Sequence, residues 1–268
     1  MSLYEKFKTK LQREGVAEAM RAAARWLARL AGIPYDVQPY DYIQAHAERN
    51  LHRYLGCRRE DVHRFVIVGA HLGHEVSSMR RRYPRAEFKL FEASPRYVQA
   101  LRERFRFDGK VQIFDCAVSD VSGEATFHET NLEGSGSLLE VGDLAKESYG
   151  MKQSESYKVQ VRRLDDHAAE NQYADEIIDC LWVDVQGAEM QVLRSAGELL
   201  NKVRSIFVEV SAYKPLYNGG ATFAEIMGFL GLRGYVLVGL GTDPSNGTGN
   251  ALYVRPARTL FVDVPRQS

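Results

Sequence analysis

Apolar residues follow two different spacings along this chain, and the two spacings alternate. Short, continuous apolar runs that are rich in β-branched residues, such as RFVIVG at 64–69, are typical of strands buried on both faces. Between these runs, apolar residues recur at the spacing of amphipathic helices. Strands are predicted over 64–69, 87–92, 110–115, 121–129, 157–163, 177–185, 205–210, 235–240 and 250–255, and helices over 41–55, 75–83, 94–105, 187–200 and 221–231.

This alternation predicts the architecture. Strands that alternate with helices form a mostly parallel sheet with helices on both faces. The last two apolar runs flank the turn-rich stretch GTDPSNGTG, which favours a closing antiparallel pair. We therefore expect an α/β fold with a mostly parallel sheet and a C-terminal antiparallel strand pair. The chain is expected to divide into an N-terminal helical extension, 1–60, and an α/β domain, 61–268.

The N-terminal segment predicts a basic amphipathic helix over 3–31, whose apolar stripe begins with Leu3, Phe7 and Leu11. Residues 1–33 hold seven Lys and Arg against three Glu, which gives a local charge of +4. Such a helix can lie on an anionic membrane surface. It can equally pack on the main domain or on a second copy of the chain, and the pattern leaves both uses open.

Overall composition excludes several classes of protein. The chain has 268 residues, with 35 Lys and Arg against 35 Asp and Glu, and 45% hydrophobic residues, which is typical of a folded globular protein. Zero net charge argues against a nucleic-acid partner. The three cysteines, Cys57, Cys116 and Cys180, form no CxxC pair, so we expect free thiols in a reducing compartment and no structural zinc. Without a signal segment or an apolar span, a cytoplasmic location is expected.

The turn after the first strand carries the first chemical signal. Gly69 and Gly73 are separated by Ala70, His71 and a leucine, which is not the GxGxxG of dinucleotide sites. Small residues still let a ligand approach the end of the strand closely.

Two acids at the ends of the next strands strengthen this signal. Glu92 ends the second strand and can accept hydrogen bonds from ribose hydroxyls, and Asp115 ends the third and can accept from an adenine amino group. Open α/β sheets bind ligands at these strand ends. Together with the glycine turn, the two acids predict an adenosine-type cofactor.

At this point the chain resembles a known family, the FkbM-type S-adenosylmethionine-dependent methyltransferases. The resemblance is carried by FVIVGAHLG (65–73), FEASP (91–95), CAVSDVSGEATF (116–127), VRRLDD (161–166), LWVDVQGAEMQVLRSAGELL (181–200) and IFVEVS (206–211). It implies a Rossmann-like class I methyltransferase fold with S-adenosylmethionine as cofactor. It also implies O-methylation of a sugar, glycan, glycolipid or secondary metabolite.

The resemblance extends the predicted cofactor site and also has two departures. Ala93, Cys116 and Ala117, which follow the two acids, join the predicted cofactor-binding residues. Ile67 stands where the family has an acidic residue in the first strand, and His71 stands where it has an asparagine. Because an imidazole can still donate or accept a hydrogen bond, His71 can substitute for the amide.

Asp184 is the first candidate for the reacting centre, because it ends the fourth core strand on the cofactor side of the sheet and begins the D-V-Q-G-A-E block. An alcohol nucleophile needs a base as the new bond forms, and a carboxylate there can serve. His74 and Glu209 are the further candidates, and no ligand spacing supports a metal. The Gly- and Ser-rich stretch 131–156 is a candidate lid.

Two alternatives stay open at this level. One is a NAD-type oxidoreductase, against which the missing GxGxxG turn argues. The other is a methyltransferase-like binding module without activity, which Ile67 keeps open by removing the usual acid. The acceptor cannot be read from the residues.

Overall fold

Ten strands are present in the computed structural model, which describes residues 40–243 and 247–256. They are β1 (Arg64–Val68), β2 (Glu87–Glu92), β3 (Val111–Asp115), β4 (Ala117–Val118), β5 (Gly123–Thr130), β6 (Gln153–Arg162), β7 (Cys180–Val183), β8 (Ser205–Ser211), β9 (Val236–Thr242) and β10 (Thr248–Val254). Seven of them form the main sheet in the order β3-β2-β1-β7-β8-β10-β9.

The pairing within the main sheet confirms the predicted fold class. β1 pairs in parallel with both β2 and β7. β2 in turn pairs in parallel with β3, and β7 pairs in parallel with β8. β10 runs antiparallel to both β8 and β9. The sheet is therefore mostly parallel and closes with an antiparallel pair, as in Rossmann-like class I methyltransferases.

The two strands predicted over 121–129 and 157–163 form a second, smaller sheet. β5 and β6 pair antiparallel, and β4 joins β6 in parallel, so the order is β4-β6-β5. Phe127, Val159 and Val161 pack beneath it together with Ala93 and Ala117. Ala93 directly follows β2, and Ala117 is the first residue of β4. This cluster therefore fixes the small sheet beside the carboxyl end of the main sheet.

Seven α-helices are formed by the described residues, and all but the one over Asp143–Tyr149 pack on the main sheet. They are α1 (Tyr40–Tyr54), α2 (His74–Arg82), α3 (Pro95–Arg104), α4 (Asp143–Tyr149), α5 (Leu164–Glu170), α6 (Glu189–Ser195) and α7 (Phe223–Gly231). The helix predicted over 187–200 is shorter, because Gly197 has a φ of 43° and the chain continues as a 3-10 helix over Gly197–Lys202. No helix among the described residues combines the length and apolarity that crossing a bilayer requires.

The two faces of the sheet bury different residues of the same strands. On one face Ile67 and Trp182 pack with α1, α2 and α3. On the other face Val68 and Val183 pack with α5, α6 and α7. This two-sided burial explains why β1 and β7 appear as continuous apolar runs.

α1 connects the predicted N-terminal extension to the main sheet. Ile43 is fully buried, and its side chain packs against Gly239 of β9. Leu51 is also buried in the core beneath α1. The basic helix predicted over 3–31 lies outside the described residues, and the division at residue 60 stays a prediction.

The start of α7 is stabilised by a reciprocal cap, and removing it has a defined cost. Thr222 Oγ1 accepts from the Glu225 amide at 3.4 Å, and Glu225 Oε2 accepts from the Thr222 amide at 2.8 Å. We expect Thr222→Ala to lower the free energy of unfolding by about 1 kcal/mol in urea denaturation, as for other lost N-caps. Glu225→Gln keeps an acceptor and should cost less. An equal loss in both variants would contradict this account.

Candidate active site

A cavity lies at the carboxyl ends of β1, β2 and β7, roofed by the loop that follows β5. The cavity has a volume of about 130 Å³ and is open to solvent at its mouth. The residues that line it are Ile67, Val68, Gly69, Ala70, His71, Glu75, Val76, Phe91, Glu92, Ala93, Tyr97, Cys116, Ala117, Val118, Phe127, Gly134, Gly136, Leu138, Trp182, Asp184, Val185, Gln186 and Ala188. Strand ends of an open α/β sheet are the expected place for a ligand.

The glycine turn brings the ends of β1 and β7 into direct contact. Gly69 has a φ of 82°, and a Cβ at this position would lie 1.7 Å from the Asp184 carbonyl oxygen. The Gly69 and Ala70 amides donate to the Phe91 carbonyl at 3.0 and 3.2 Å. Glycine is therefore required at 69 both for the turn and for the approach of the two strands.

His71 lines the cavity, and one of its ring nitrogens is buried beside Gly134. Its backbone is left-handed, with a φ of 47°, a conformation that histidine and asparagine adopt more readily than most residues. No partner among the described residues reaches the buried Nε2 atom. Burial lowers the pKa of the imidazole, which favours the neutral ring. A polar ligand atom in the cavity would satisfy this nitrogen.

Glu92 is buried at the end of β2 and faces the glycine turn. Its two carboxylate oxygens accept from the His71 amide at 2.7 Å and the Ser94 amide at 2.9 Å. Burial raises the pKa of the carboxyl to about 7, against an ordinary value of 4.5, and the nearby Glu129 adds to the rise. Ser94 begins α3 but does not cap it through its side chain, because its hydroxyl donates to Glu129 instead.

Asp184 and Glu209 are half-buried carboxyl groups joined by one amide. Gln186 Nε2 donates to Asp184 Oδ1 at 2.7 Å and to Glu209 Oε2 at 2.9 Å. Burial raises the pKa of Asp184, and burial together with the charge of Asp184 raises that of Glu209. Gln186 is held in a left-handed conformation with a φ of 56°, an unusual geometry that is often found at functional sites.

Tyr217 links Gln186 to the loop over the cavity. Its hydroxyl donates to the Ser135 carbonyl at 2.7 Å and lies 3.3 Å from Gln186 Oε1. Glu189, by contrast, holds the backbone, since its Oε1 accepts from the Val185 and Gly187 amides at 3.2 and 2.9 Å. Glu189 therefore has the structural role expected of an acid in the first turn of a helix.

Most of the predicted cofactor residues meet in this one cavity. Its lining includes seven of the nine: Gly69, Ala70, His71, Glu92, Ala93, Cys116 and Ala117. Gly73 is buried away from it, against Leu101 and Phe105. Asp115 is exposed and lies 3.5 Å from Arg102, because the strand turns its side chain outward. The proposed adenine contact of Asp115 therefore has no support in this geometry.

Of the three predicted catalytic residues, Gln186 joins Asp184 and Glu209, whereas His74 lies apart from them. Asp184 lines the cavity, and Glu209 lies behind Gln186, in a smaller pocket with Tyr217 and Thr248. His74 is an exposed residue at the start of α2 and is not part of the cavity lining.

Several lining residues were not predicted from the sequence. Glu75 and Tyr97 lie in the first turns of α2 and α3, and the only sequence signal is their closeness to the two strand-end turns. Gly134 and Gly136 come from the stretch predicted as a lid, where Gly134 packs on His71 and Gly136 on Phe127. This part of the stretch covers the cavity, and its closing on a ligand stays a prediction.

The described residues include no set of three or more His, Cys, Asp or Glu side chains arranged to hold a metal ion.

Comparison with protein families identifies the family of this chain. The model of the FkbM methyltransferase domain matches residues 68–237, which include the glycine turn, Glu92 and Asp184. The chain belongs to the FkbM methyltransferase family. This membership favours a methyltransferase over a NAD-type oxidoreductase.

Two curated relatives of this FkbM methyltransferase match in sequence. The 2-O-methyltransferase NoeI of Sinorhizobium fredii is 31% identical over 170 residues, covering 61% of this chain and 69% of that protein. Methyltransferase sdnD of Sordaria araneosa is 29% identical over 168 residues, covering 54% of this chain and 64% of that protein.

Solved structures with similar folds are more distant. The METTL16 methyltransferase domain is 12% identical with a TM-score of 0.47, covering 94% of this chain and 89% of that one. Fibrillarin of Aeropyrum pernix, solved with bound S-adenosylmethionine, is 14% identical with a TM-score of 0.44, covering 78% and 74%.

S-adenosylmethionine is the cofactor of this FkbM methyltransferase, and the cavity has features that fit it. Gly69 and Ala70 line the cavity at the end of β1 without a bulky side chain. Glu92 offers a carboxylate at the position from which ribose hydroxyls are bound in related folds. The unpaired Nε2 of His71 offers a further hydrogen bond to a polar ligand.

Proposed function

We propose that this FkbM methyltransferase methylates a hydroxyl group of a sugar or sugar-containing acceptor, with Asp184 as the base. When bound, the cofactor supplies a methyl group on a positively charged sulfur. The observation that carries the proposal is the Asp184 carboxylate on the cavity wall, aligned by Gln186 at 2.7 Å.

The environment of Asp184 suits proton removal. Burial raises its pKa, which makes the carboxylate a stronger base than an exposed aspartate. Gln186 Nε2 donates to Oδ1 and so orients the carboxyl group. Asp184 would hold an acceptor hydroxyl by a hydrogen bond and take its proton as the oxygen gains the methyl group, whose bond to sulfur would break and leave a neutral thioether.

A hydroxyl-rich acceptor is supported by two observations. The relative NoeI is named as a 2-O-methyltransferase, and it shares 31% identity over 170 residues. The pocket behind Gln186 is lined by the polar side chains of Glu209, Ser211, Tyr217 and Thr248, which are able to hydrogen-bond hydroxyl groups. Glycans, glycolipids and glycosylated secondary metabolites are therefore the acceptor classes to test.

The decisive experiment uses S-adenosylmethionine labelled with carbon-13 in the methyl group and a panel of mono- and oligosaccharides and glycolipids. We expect a labelled methyl ether in the product NMR spectrum. A labelled methylamine or methyl ester would overturn the hydroxyl assignment. Cofactor binding without transfer to any acceptor class would instead favour the binding-module alternative.

We further propose that Glu92 binds the cofactor ribose as an ionised carboxylate, which makes affinity depend on pH. Because the pKa of Glu92 is raised to about 7, the carboxyl group becomes protonated as the pH falls through that value. Lowering the pH from about 8 to about 6 should weaken S-adenosylhomocysteine binding about 10-fold, by replacing charge-assisted hydrogen bonds with neutral ones.

Isothermal titration calorimetry across this pH range tests the role of Glu92. In Glu92→Gln the affinity should be low at every pH, and the dependence should be nearly flat. His71 faces the same cavity, and burial lowers the pKa of its imidazole below the ordinary value. A wild-type slope that persists in the Gln variant would assign the titration to another group.

A further inference from the structure

Glu75 places a carboxylate on the cavity wall that the proposed chemistry does not use. It lies in the first turn of α2 and lines the cavity with Ile67, Trp182 and Asp184. Burial raises the pKa of Asp184, and the negative charge of Glu75 raises it further. Burial lowers the pKa of His71, and the charge of Glu75 partly offsets this decrease. Glu75, Asp184 and His71 all line the same cavity.

α1 holds this carboxylate from outside the cavity. Gln44 Nε2 donates to Glu75 Oε1 at 3.3 Å and lies 3.5 Å from Glu48 Oε1. These contacts orient the Glu75 side chain without neutralising it. The described lining residues include no Lys or Arg that would do so. A carboxylate in this setting is complementary to a ligand cation that can donate hydrogen bonds.

The layout of the cavity indicates which part of the cofactor reaches Glu75. Glu92 and residues 116–118 line the side nearest β2 and β3, where we place the ribose and adenine. Ile67 and Trp182 lie on neighbouring positions of β1 and β7, on the other side. With the ribose at Glu92, the amino-acid end of the cofactor would extend toward that side, and its ammonium group would be the cation with hydrogen-bond donors.

We propose that Glu75 binds the α-ammonium group of S-adenosylmethionine. Ile67 of β1 presents an apolar side chain to the same part of the cavity. The carboxylate that faces the ammonium group therefore comes from α2, through Glu75, and not from β1. The inference rests on the cofactor and on the ribose placement at Glu92, and it does not depend on which acceptor is methylated.

Calorimetric binding of two adenosine ligands tests this assignment. S-adenosylhomocysteine carries the amino-acid group, whereas methylthioadenosine keeps the adenosine and thioether but lacks it. We expect Glu75→Gln to weaken S-adenosylhomocysteine binding by about 10- to 100-fold, the range for a hydrogen bond to a charged group. Binding of methylthioadenosine should remain unchanged. The double variant that combines Ile67→Asp with Glu75→Gln supplies a carboxylate from β1 instead. It should recover part of the S-adenosylhomocysteine affinity that Glu75→Gln loses.

Glu103→Gln is the matched control, because it removes an exposed carboxylate of α3 that does not line the cavity. It should leave the affinity for both ligands unchanged. Equal weakening of both ligands in Glu75→Gln, or no weakening of either, would overturn the assignment. Neither result bears on hydroxyl methylation, which the labelled-product experiment decides separately.

Discussion

Asp184→Asn is expected to lower kcat by about 10²- to 10⁴-fold, the range for loss of a positioned general base. Asparagine keeps the shape of the side chain and its acceptor oxygen for Gln186, but it has no basic carboxylate to take the proton of a hydroxyl. The loss should therefore fall on kcat, with S-adenosylhomocysteine affinity close to that of the wild type. Steady-state kinetics with the identified acceptor and calorimetry measure the two quantities.

The pH profile separates this role from a structural one. Because the pKa of Asp184 is raised, the wild-type rate should climb with pH as the carboxyl ionises, and Asp184→Asn should lose that rise. Asp143→Asn, an exposed aspartate of α4, is the matched control and should retain the wild-type profile. A full wild-type kcat in Asp184→Asn would show that Asp184 is not the base.

The second large effect is on stability. Gly69→Ala should lower the free energy of unfolding by about 4 kcal/mol or more, in the range reserved for severe overpacking and backbone strain. The new Cβ would lie 1.7 Å from the Asp184 carbonyl oxygen, and alanine is disfavoured at a φ of 82°. To relieve the overlap, the ends of β1 and β7 must separate. Urea denaturation followed by circular dichroism measures the loss.

Gly228→Ala provides the comparison for this variant. Gly228 lies within α7, and a Cβ there meets nothing within 4 Å. Since alanine favours the helix, this substitution should leave stability unchanged or raise it by about 0.5–1 kcal/mol. If Gly69→Ala unfolds at the same urea concentration as the wild type, the close contact between Gly69 and the Asp184 carbonyl does not constrain the ends of β1 and β7.

Element order and the cofactor turn could be predicted from the chain alone. Apolar spacing is a local property, so RFVIVG at 64–69 indicated a buried strand without knowledge of its neighbours. The glycine turn and Glu92 were also predictable, because strand ends of a parallel sheet meet at one edge. Both now line one cavity.

Side-chain direction was the part that could not be predicted. Asp115 and His74 stand beside lining residues in the chain, yet both side chains are exposed. One position along a strand reverses the face, and one position along a helix rotates the side chain by about 100°. Boundary errors of a single residue therefore decide whether a side chain reaches the site.

What the sequence determined by itself was the α/β fold, the family and the position of the cofactor turn, because all three depend on residues close together in the chain. Only the tertiary structure brought Gln186 to Glu209 and Glu75 to the wall beside Asp184. It also separated β5 and β6 from the main sheet. These contacts join residues far apart in the chain, and they follow from the register of strands and the packing of helices.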